Sequence, residues 1–138
     1  MLFFEVQAVY QRQTGEDNPA CVKETYMVES LTPSSAEARV IEEIKPFIFG
    51  ECEVPRIIKR KPYDIFPNPD GEVWFKARVE IIVVEDSGAE RRTGVTMWVQ
   101  ADTIDDALKR LNRETSDYDC EIVSIQKTPV LEVFRAVQ

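Results

Sequence analysis

The sequence predicts an α+β fold in which two helices pack on a mainly antiparallel sheet, built from two copies of a strand–strand–helix–strand unit. Three observations predict it: apolar residues that alternate with polar ones, two stretches with helical spacing, and an internal repeat. The repeat aligns Phe3 with Trp74, an offset of 71 residues, and Cys52 with Cys120, an offset of 68 residues. The smaller second offset indicates a shortened loop. We expect this tandem duplication to place the copies about a pseudo-two-fold axis.

The first two segments of each copy alternate apolar and polar residues, which is typical of half-buried strands. In the first copy these segments cover residues 4–10 and 22–28, and residues 14–19 form a loop between them. In the second copy they cover residues 75–83 and 95–99. We therefore expect an antiparallel hairpin at the start of each copy, with one face of each strand on the core.

A helix follows each hairpin. In the first copy, Thr32 is the predicted N-cap, Pro33 occupies the first helical position and Pro46 ends the helix. In the second copy, Thr103 is the predicted N-cap and Asp106 stands three residues later, as in a capping box. Four apolar residues at helical spacing are expected to face the core here: Ile104, Ala107, Leu108 and Leu111.

The third strand of each copy begins at Cys52 or Cys120. Its apolar positions, 54 and 57 or 122 and 125, lie three residues apart, so strict alternation fails and we expect a β-bulge. Pro55 lacks a backbone N–H, which predicts a sheet edge or a bulge for the first of these strands. Each copy ends in a short segment, residues 64–66 or 132–134, that we expect to pack on the core.

The domain organisation predicted from the repeat is one compact domain. Residues 1–66 form the first copy, residues 67–73 a linker with two prolines, and residues 74–138 the second copy. One helix cannot cover both faces of a three-stranded sheet, so we expect the two copies to share a core.

The composition excludes several classes of chemistry. The 138 residues contain no histidine, which excludes Ser-His-Asp and Cys-His catalysis and metal ligation by histidine. No phosphate-binding glycine motif and no nucleophile motif occurs, and the 3 cysteines form no C-x-x-C pair. We therefore expect a protein that is not an enzyme and holds neither a metal nor a cofactor.

Charge and hydropathy bear on partners and location. The formal net charge of −8 disfavours nucleic acid as a partner. The sequence has no apolar run of the roughly 18 residues that a membrane span needs. Residues 1–4 are too short for a signal-peptide core, because Glu5 interrupts them. Together with the odd number of cysteines, these features predict free thiols in a cytoplasmic protein.

Two groups of residues could carry chemistry, although a plainer interpretation is favoured for each. Cys52 and Cys120 could meet as a thiol pair, but no histidine or nearby lysine is present to stabilise a thiolate, so we expect simple packing. The acidic groups at residues 102–106 and 117–121 could hold a cation such as Ca²⁺, but they lack an EF-hand pattern. We expect them to form solvated surface.

A third group combines aromatic and basic residues. Phe3, Trp74 and Trp98 fall on the strand faces opposite the helix-facing stripe. Aromatic rings on an open sheet beside basic side chains are how sheet proteins bind single-stranded nucleic acid. The net charge favours the alternative, a second buried layer between copies or between subunits. The basic candidates are Arg56, Lys59, Arg60, Lys61, Arg91 and Arg92.

The sequence also resembles a known family. Residues 36–48, AEARVIEEIKPFI, followed by residues 50–51 (GE) and 74–77 (WFKA), are similar to short bacterial proteins known as domain of unknown function family 4494. Residues 87–90, 99–101 and 133–134 also resemble the pattern of that family. The resemblance implies a small, self-contained bacterial protein and brings no assigned activity or functional residue.

The leading hypothesis is a non-enzymatic protein-binding or regulatory module, because a duplicated β-rich body offers sheet edges and apolar faces. Its partner is an unidentified protein, and the chain is a monomer or a homodimer. The alternative is binding of single-stranded nucleic acid through the sheet face with Phe3, Trp74 and Trp98. A third hypothesis, an enzyme with carboxylate or thiol chemistry, requires a pocket lined by Cys52, Cys120 or paired acids.

Overall fold

The computed structural model describes residues 2–12 and 18–136, which form two compact units. Unit 1 lies within residues 1–61 and 129–138, and unit 2 spans residues 62–128. Residues 14–17 of the predicted loop lie outside the described residues. The α+β class is confirmed, because the described residues form two α-helices and two mainly antiparallel sheets.

Long strands dominate the described residues, and one α-helix follows each pair of them. The elements in chain order are β1 (Leu2–Arg12), β2 (Ala20–Ser30), α1 (Pro33–Ile44), a 3₁₀ turn (Lys45–Phe47), β3 (Ile48–Arg60), β4 (Asp64–Phe66), β5 (Val73–Val84), β6 (Glu90–Ala101), α2 (Ile104–Glu114), β7 (Cys120–Lys127) and β8 (Val130–Phe134). Among the described residues, no helix has the length and apolar character that crossing a membrane requires.

Both helices begin at the predicted N-caps. The Thr32 hydroxyl accepts a hydrogen bond from the Ser35 amide at 3.1 Å, and the Thr103 hydroxyl accepts one from the Asp106 amide at 3.2 Å. The α-helical turns of α1 end just before Pro46, as its missing N–H dictates.

The two sheets have the same connectivity. The strand order is β3-β1-β2-β8 in unit 1 and β7-β5-β6-β4 in unit 2. The long strands pair in antiparallel fashion, whereas β8 runs parallel to β2 and β4 runs parallel to β6. In each sheet the order is therefore the third strand, the first strand, the second strand and then the last segment of the other predicted copy.

The last segment of each predicted copy thus belongs to the sheet of the other unit. Ile65 of β4 lies opposite Trp98, and Val133 of β8 lies opposite Met27. These two pairs are equivalent at the two sequence offsets. The compact units consequently do not coincide with the predicted copies, each of which contributes one strand to the sheet of the other. The duplication itself, its pseudo-two-fold axis and a core shared by the copies stay predictions.

Each unit has a hydrophobic core between its helix and its sheet. Ala36, Val40 and Ile44 of α1 are buried in unit 1, and Ala107 and Leu111 of α2 are buried in unit 2. The core faces predicted for β1 and most of β5 are confirmed by the buried residues Phe4, Val6, Ala8, Tyr10, Phe75, Ala77 and Val79.

The prediction for α2 is wrong at two positions. Ile104 is 50% exposed and Leu108 is 40% exposed, although the spacing predicts that both face the core. Residues 104 and 108 form one row along the helix, and residues 107 and 111 form the adjacent row. Only the second row is buried in the core of unit 2, so the first row is left beside the edge of the sheet.

Both third strands carry the predicted bulge. In β3 the register with β1 shifts at residues 54–55, so Pro55 occupies a bulge. In β7 the shift leaves Val123 as the extra residue between Ile122 and Ser124. Because β3 and β7 are also edge strands, the position predicted for Pro55 is confirmed.

Candidate functional site

The structure buries most of the predicted aromatic surface. Trp74 is 3% exposed and Trp98 is 2% exposed, and neither belongs to the helix-side core. Phe3 is half-buried, and the guanidinium of Arg135 lies 5.4 Å from its ring centroid. The two tryptophans therefore do not form an open platform on which bases could stack, because their indole rings are covered.

Three of the six predicted basic residues form ion pairs with glutamates. Arg60 Nη2 lies 3.2 Å from a carboxylate oxygen of Glu5. Arg92 contacts three carboxylates, of which Glu121 is nearest at 2.7 Å, and Arg91 lies 3.9 Å from a fourth. Four of the six candidates belong to unit 1 and two to unit 2. The exposed candidates that make no ion pair within the described part of the chain are Arg56, Lys59 and Lys61.

Cys52 and Cys120 occupy matching positions in their sheets. Cys52 lies opposite Tyr10 in β1, and Cys120 lies opposite Ile81 in β5. Each is half-buried against the core of its own unit, and both are free thiols, as is the exposed Cys21. Burial, followed by the charges of neighbouring glutamates, raises the pKa of the Cys52 thiol, so its surroundings disfavour a thiolate.

The acidic groups do not converge on a metal site. Among the described residues, no group of three cysteine, aspartate or glutamate side chains is arranged to hold a metal ion. Asp105 and Asp106 lie in the first turn of α2, where the helix dipole favours negative charge. This placement accounts for them without a cation.

Unit 2 contains a groove between α2 and β7, which we call the α2–β7 groove. Its volume is about 320 Å³, and Val123, which is 49% exposed, lies on its β7 side. A second depression of about 480 Å³ shares Leu108 and Ile122 with it and adds Tyr118 and Glu121. The apolar lining of the α2–β7 groove consists of Ile104, Leu108, Ile122, Val123 and Ile125.

The matching place in unit 1 has different chemistry. There the helix carries a proline and a glutamate, and the bulge of the edge strand carries a proline that removes a backbone donor. At the two offsets Ile104, Leu108 and Val123 correspond to Pro33, Glu37 and Pro55. The three exposed apolar side chains of the α2–β7 groove therefore have no aliphatic counterparts at the matching positions of unit 1.

Unit 1 contains a second concave site, which we call the Glu24 cleft. It has a volume of about 390 Å³ and lies between the end of α1, the 3₁₀ turn and β8. The carboxylate of Glu24 accepts hydrogen bonds from the hydroxyls of Tyr10 and Tyr26 and from Arg12 Nη1 at 3.1 Å. The guanidinium of Arg12 lies 4.5 Å from the ring centroid of Phe47.

This network lowers the acidity of both tyrosines. Burial, followed by the hydrogen bond and the charge of Glu24, raises the pKa of Tyr10 from 10.0 to about 12. The same causes raise the pKa of Tyr26 even further. Both hydroxyls therefore remain protonated at neutral pH and donate to Glu24, so the network holds a carboxylate in place and does not generate a base or a nucleophile.

Sequence reasoning missed both concave sites. The Glu24 cleft combines residues from β1, β2, α1 and β8, which lie far apart along the chain, so no local motif marks it. Comparison of residues 71 positions apart supplies a signal, because the polar positions of the network correspond to apolar residues. At the offset of 71, Tyr10, Arg12, Glu24 and Tyr26 correspond to Ile81, Val83, Val95 and Met97.

Comparison with known proteins gives a family and no activity. The model of a family described as Domain of unknown function (DUF4494) matches residues 2–136, nearly the whole chain. No curated protein matches the sequence. The candidate functional sites are therefore the α2–β7 groove with its adjoining depression and the Glu24 cleft.

Proposed function

We propose that this chain, which belongs to the family described as Domain of unknown function (DUF4494), is a non-enzymatic protein-binding module whose partner docks in the α2–β7 groove. One observation carries the proposal: three apolar side chains, Ile104, Leu108 and Val123, are exposed together around this groove. Apolar side chains that cluster on a concave surface mark interaction sites, whereas single exposed ones are common and need no explanation.

Burial of these side chains supplies the driving force for docking. Full burial of an aliphatic side chain contributes about 1.5–3 kcal/mol relative to full exposure. Because the three side chains are 40–50% exposed, a partner that covers them gains about 1 kcal/mol from each. The adjoining depression adds Tyr118, a residue type that is enriched in interfaces.

The edge strand beside the groove offers a second kind of contact. β7 pairs with β5 and has no neighbouring strand on its other side in the described sheet. An extended segment of a partner can pair with such an edge and place alternate side chains in the adjacent groove. The matching edge strand of unit 1, β3, contains Pro55, which has no backbone N–H to donate to an added strand. We therefore expect the partner to bind unit 2.

The charge of the groove indicates the chemistry of the partner. Asp105 lines the α2–β7 groove and Glu121 lines the adjoining depression, while no lysine or arginine of the described residues lines either one. Glu121 is paired with Arg92, which leaves Asp105 as the carboxylate without an ion pair in the described part of the chain. With a net charge of −8, the chain favours an apolar segment flanked by basic residues.

Affinity purification of the tagged full chain from its native cells tests the proposed function. We propose that these cells are bacterial and that the protein lies in their cytoplasm. We expect a protein to copurify with the wild type and its recovery to fall about ten-fold with Leu108→Glu, because a carboxylate would be placed in an apolar contact. Leu31→Glu is the matched control, since Leu31 is 69% exposed and lines neither concave site. Equal recovery from all three proteins would contradict the proposal.

We also infer that residues 1–66 and residues 74–138 descend from a tandem duplication, with residues 67–73 as the linker. The shared strand order and the equivalent pairing of the last segments support this origin. An experimental structure tests it by superposition of β1, β2, α1 and β3 on β5, β6, α2 and β7. Poor superposition, with different registers in the two hairpins, would reject the duplication.

Binding of single-stranded nucleic acid is the alternative function. Three exposed basic residues in or directly after β3 favour it: Arg56, Lys59 and Lys61. The buried indole rings and the net charge of −8 count against it. A fluorescence titration with a labelled oligonucleotide at low salt tests it. Oligonucleotide binding that weakens with added salt and with Lys59→Glu supports this alternative. The absence of salt-dependent binding rejects it.

A further inference from the structure

The floor of the Glu24 cleft is a hydrogen-bonded network in which one positive and one negative charge balance. The positive charge of Arg12 is balanced by the carboxylate of Glu24, with 3.1 Å between Nη1 and Oε2. The hydroxyls of Tyr10 and Tyr26 both donate to the same carboxylate. Because the floor has no surplus charge, the ligand preference of the cleft must come from its walls.

The walls combine exposed apolar surface with one surplus carboxylate. Phe47 is 44% exposed and Leu131 is 46% exposed, and both line the cleft. Two further glutamates line it. Glu43 lies 2.9 Å from Arg39 and is neutralised there, whereas Glu132 makes no ion pair among the residues that the structure describes.

The fold does not require this polar floor. Unit 2 has apolar side chains at all four matching positions, and its first two strands pair in the equivalent register. A part-buried ion pair with its hydrogen bonds generally stabilises a protein no better than apolar side chains of the same size. The polar network is therefore a feature of unit 1 that the pairing of its first two strands does not require.

We propose that the Glu24 cleft binds a cationic group on an alkyl chain, an ammonium or a guanidinium. The positive charge lies against the carboxylate of Glu132, and the alkyl chain contacts Leu131 and the exposed edge of the cleft at Phe47. An anion is disfavoured, because three carboxylates line the cleft and its one guanidinium, that of Arg12, is already bound to Glu24. This proposal is independent of the partner proposed for the α2–β7 groove.

Two sources can supply such a group: a basic side chain of a protein or a free polyamine. Two-dimensional NMR of the ¹⁵N-labelled full chain at low ionic strength distinguishes them, with spermidine in one titration and the peptide acetyl-Gly-Lys-Gly-amide in the other. We expect saturable amide shifts confined to residues 43–47 and 130–134 in at least one titration. The probe that binds more tightly identifies the source.

Glu132→Gln is the decisive variant, because it removes the surplus charge from an exposed side chain and preserves its shape. We expect it to weaken binding of the better probe about five-fold, which corresponds to about 1 kcal/mol. Asp64→Asn is the matched control, since Asp64 is the equivalent residue of β4, and it should leave the affinity unchanged. Equal weakening by both variants, shifts spread over the whole acidic surface, or no shifts with either probe would overturn the proposal.

Discussion

The ring of Tyr26 stacks on the ring of Phe134, with centroids 5.4 Å apart and an angle of 16° between the planes. Tyr26 lies in β2 and Phe134 ends β8, so the stack holds β8 against β2. The guanidinium of Arg39 lies 5.4 Å from the same Phe134 ring. The Phe134 side chain thus connects β8 to both β2 and α1 of unit 1.

Phe134→Ala is expected to destabilise the protein. The half-buried ring packs against the core of unit 1, so we expect the free energy of unfolding to fall by about 2 kcal/mol, less than for a fully buried ring. Urea denaturation followed by circular dichroism measures the change. Leu131→Ala on the same strand is the control, because that side chain is 46% exposed. Equal losses for the two variants would mean that the stack does not hold β8.

The two leucines of α2 are expected to respond differently to truncation. Leu111 is fully buried, so Leu111→Ala should lower the free energy of unfolding by about 3 kcal/mol. Leu108 is 40% exposed, so Leu108→Ala should lower it by about 1 kcal/mol or less. Thermal and urea denaturation of both variants check the difference. A large loss for Leu108→Ala would mean that Leu108 belongs to the core and not to the α2–β7 groove.

Alkaline pH is expected to remove a stabilising contribution of Tyr10. Folding raises the pKa of this phenol from 10.0 to about 12, because burial and then Glu24 disfavour the phenolate. The folded state therefore binds the proton more tightly than the unfolded state, so the contribution is complete below pH 10.0 and is lost as the pH rises through about 12.

Tyr10→Phe isolates that contribution, because the variant has no phenolic proton at this position. The urea midpoint of the wild type should fall more steeply than that of Tyr10→Phe between pH 10.0 and about 12. Groups that do not interact with Tyr10 titrate equally in the two proteins and cancel in the comparison, whereas the pKa of Tyr26, which Tyr10 also raises, falls in the variant. Parallel curves would show that the folded protein does not raise the pKa of Tyr10.

The cysteines are expected to differ in reactivity. Burial and the charges of Glu37 and Glu53 raise the pKa of Cys52, whereas Cys21 is exposed. In variants that retain a single cysteine, the reaction of Cys21 with a disulfide reagent at about pH 8 should be at least about ten-fold faster than that of Cys52. Similar rates would indicate that the Cys52 thiol is open to solvent and more acidic than its surroundings imply.

Local signals account for the parts of the fold that the sequence predicts. Alternation along β1 and β5, the N-caps at Thr32 and Thr103, and the apolar positions three apart in the third strands each depend on near neighbours in the chain. The structure confirms these elements and both bulges. The bulge at Pro55 is predictable for the same reason, because a residue without a backbone N–H cannot donate to a neighbouring strand.

Features that depend on distant parts of the chain escape such reasoning. The parallel pairing of β8 with β2 joins the last strand to the first hairpin, and no periodicity within either strand specifies that partner. The exposure of Ile104 and Leu108 depends on how α2 is rotated over its sheet, which spacing along the helix does not determine. The α2–β7 groove and the Glu24 cleft follow from such tertiary placement, so the periodicity of no single element marks them.

Site-specific photocrosslinking in native cells tests docking in the α2–β7 groove most directly. The variant Leu108→p-benzoylphenylalanine places the reactive group in the groove, and Glu37→p-benzoylphenylalanine places it at the matching position of unit 1. We predict an adduct with one distinct partner protein after irradiation of the Leu108 variant and none from the Glu37 variant. No adduct from the Leu108 variant, or adducts of equal yield from both, would contradict the account.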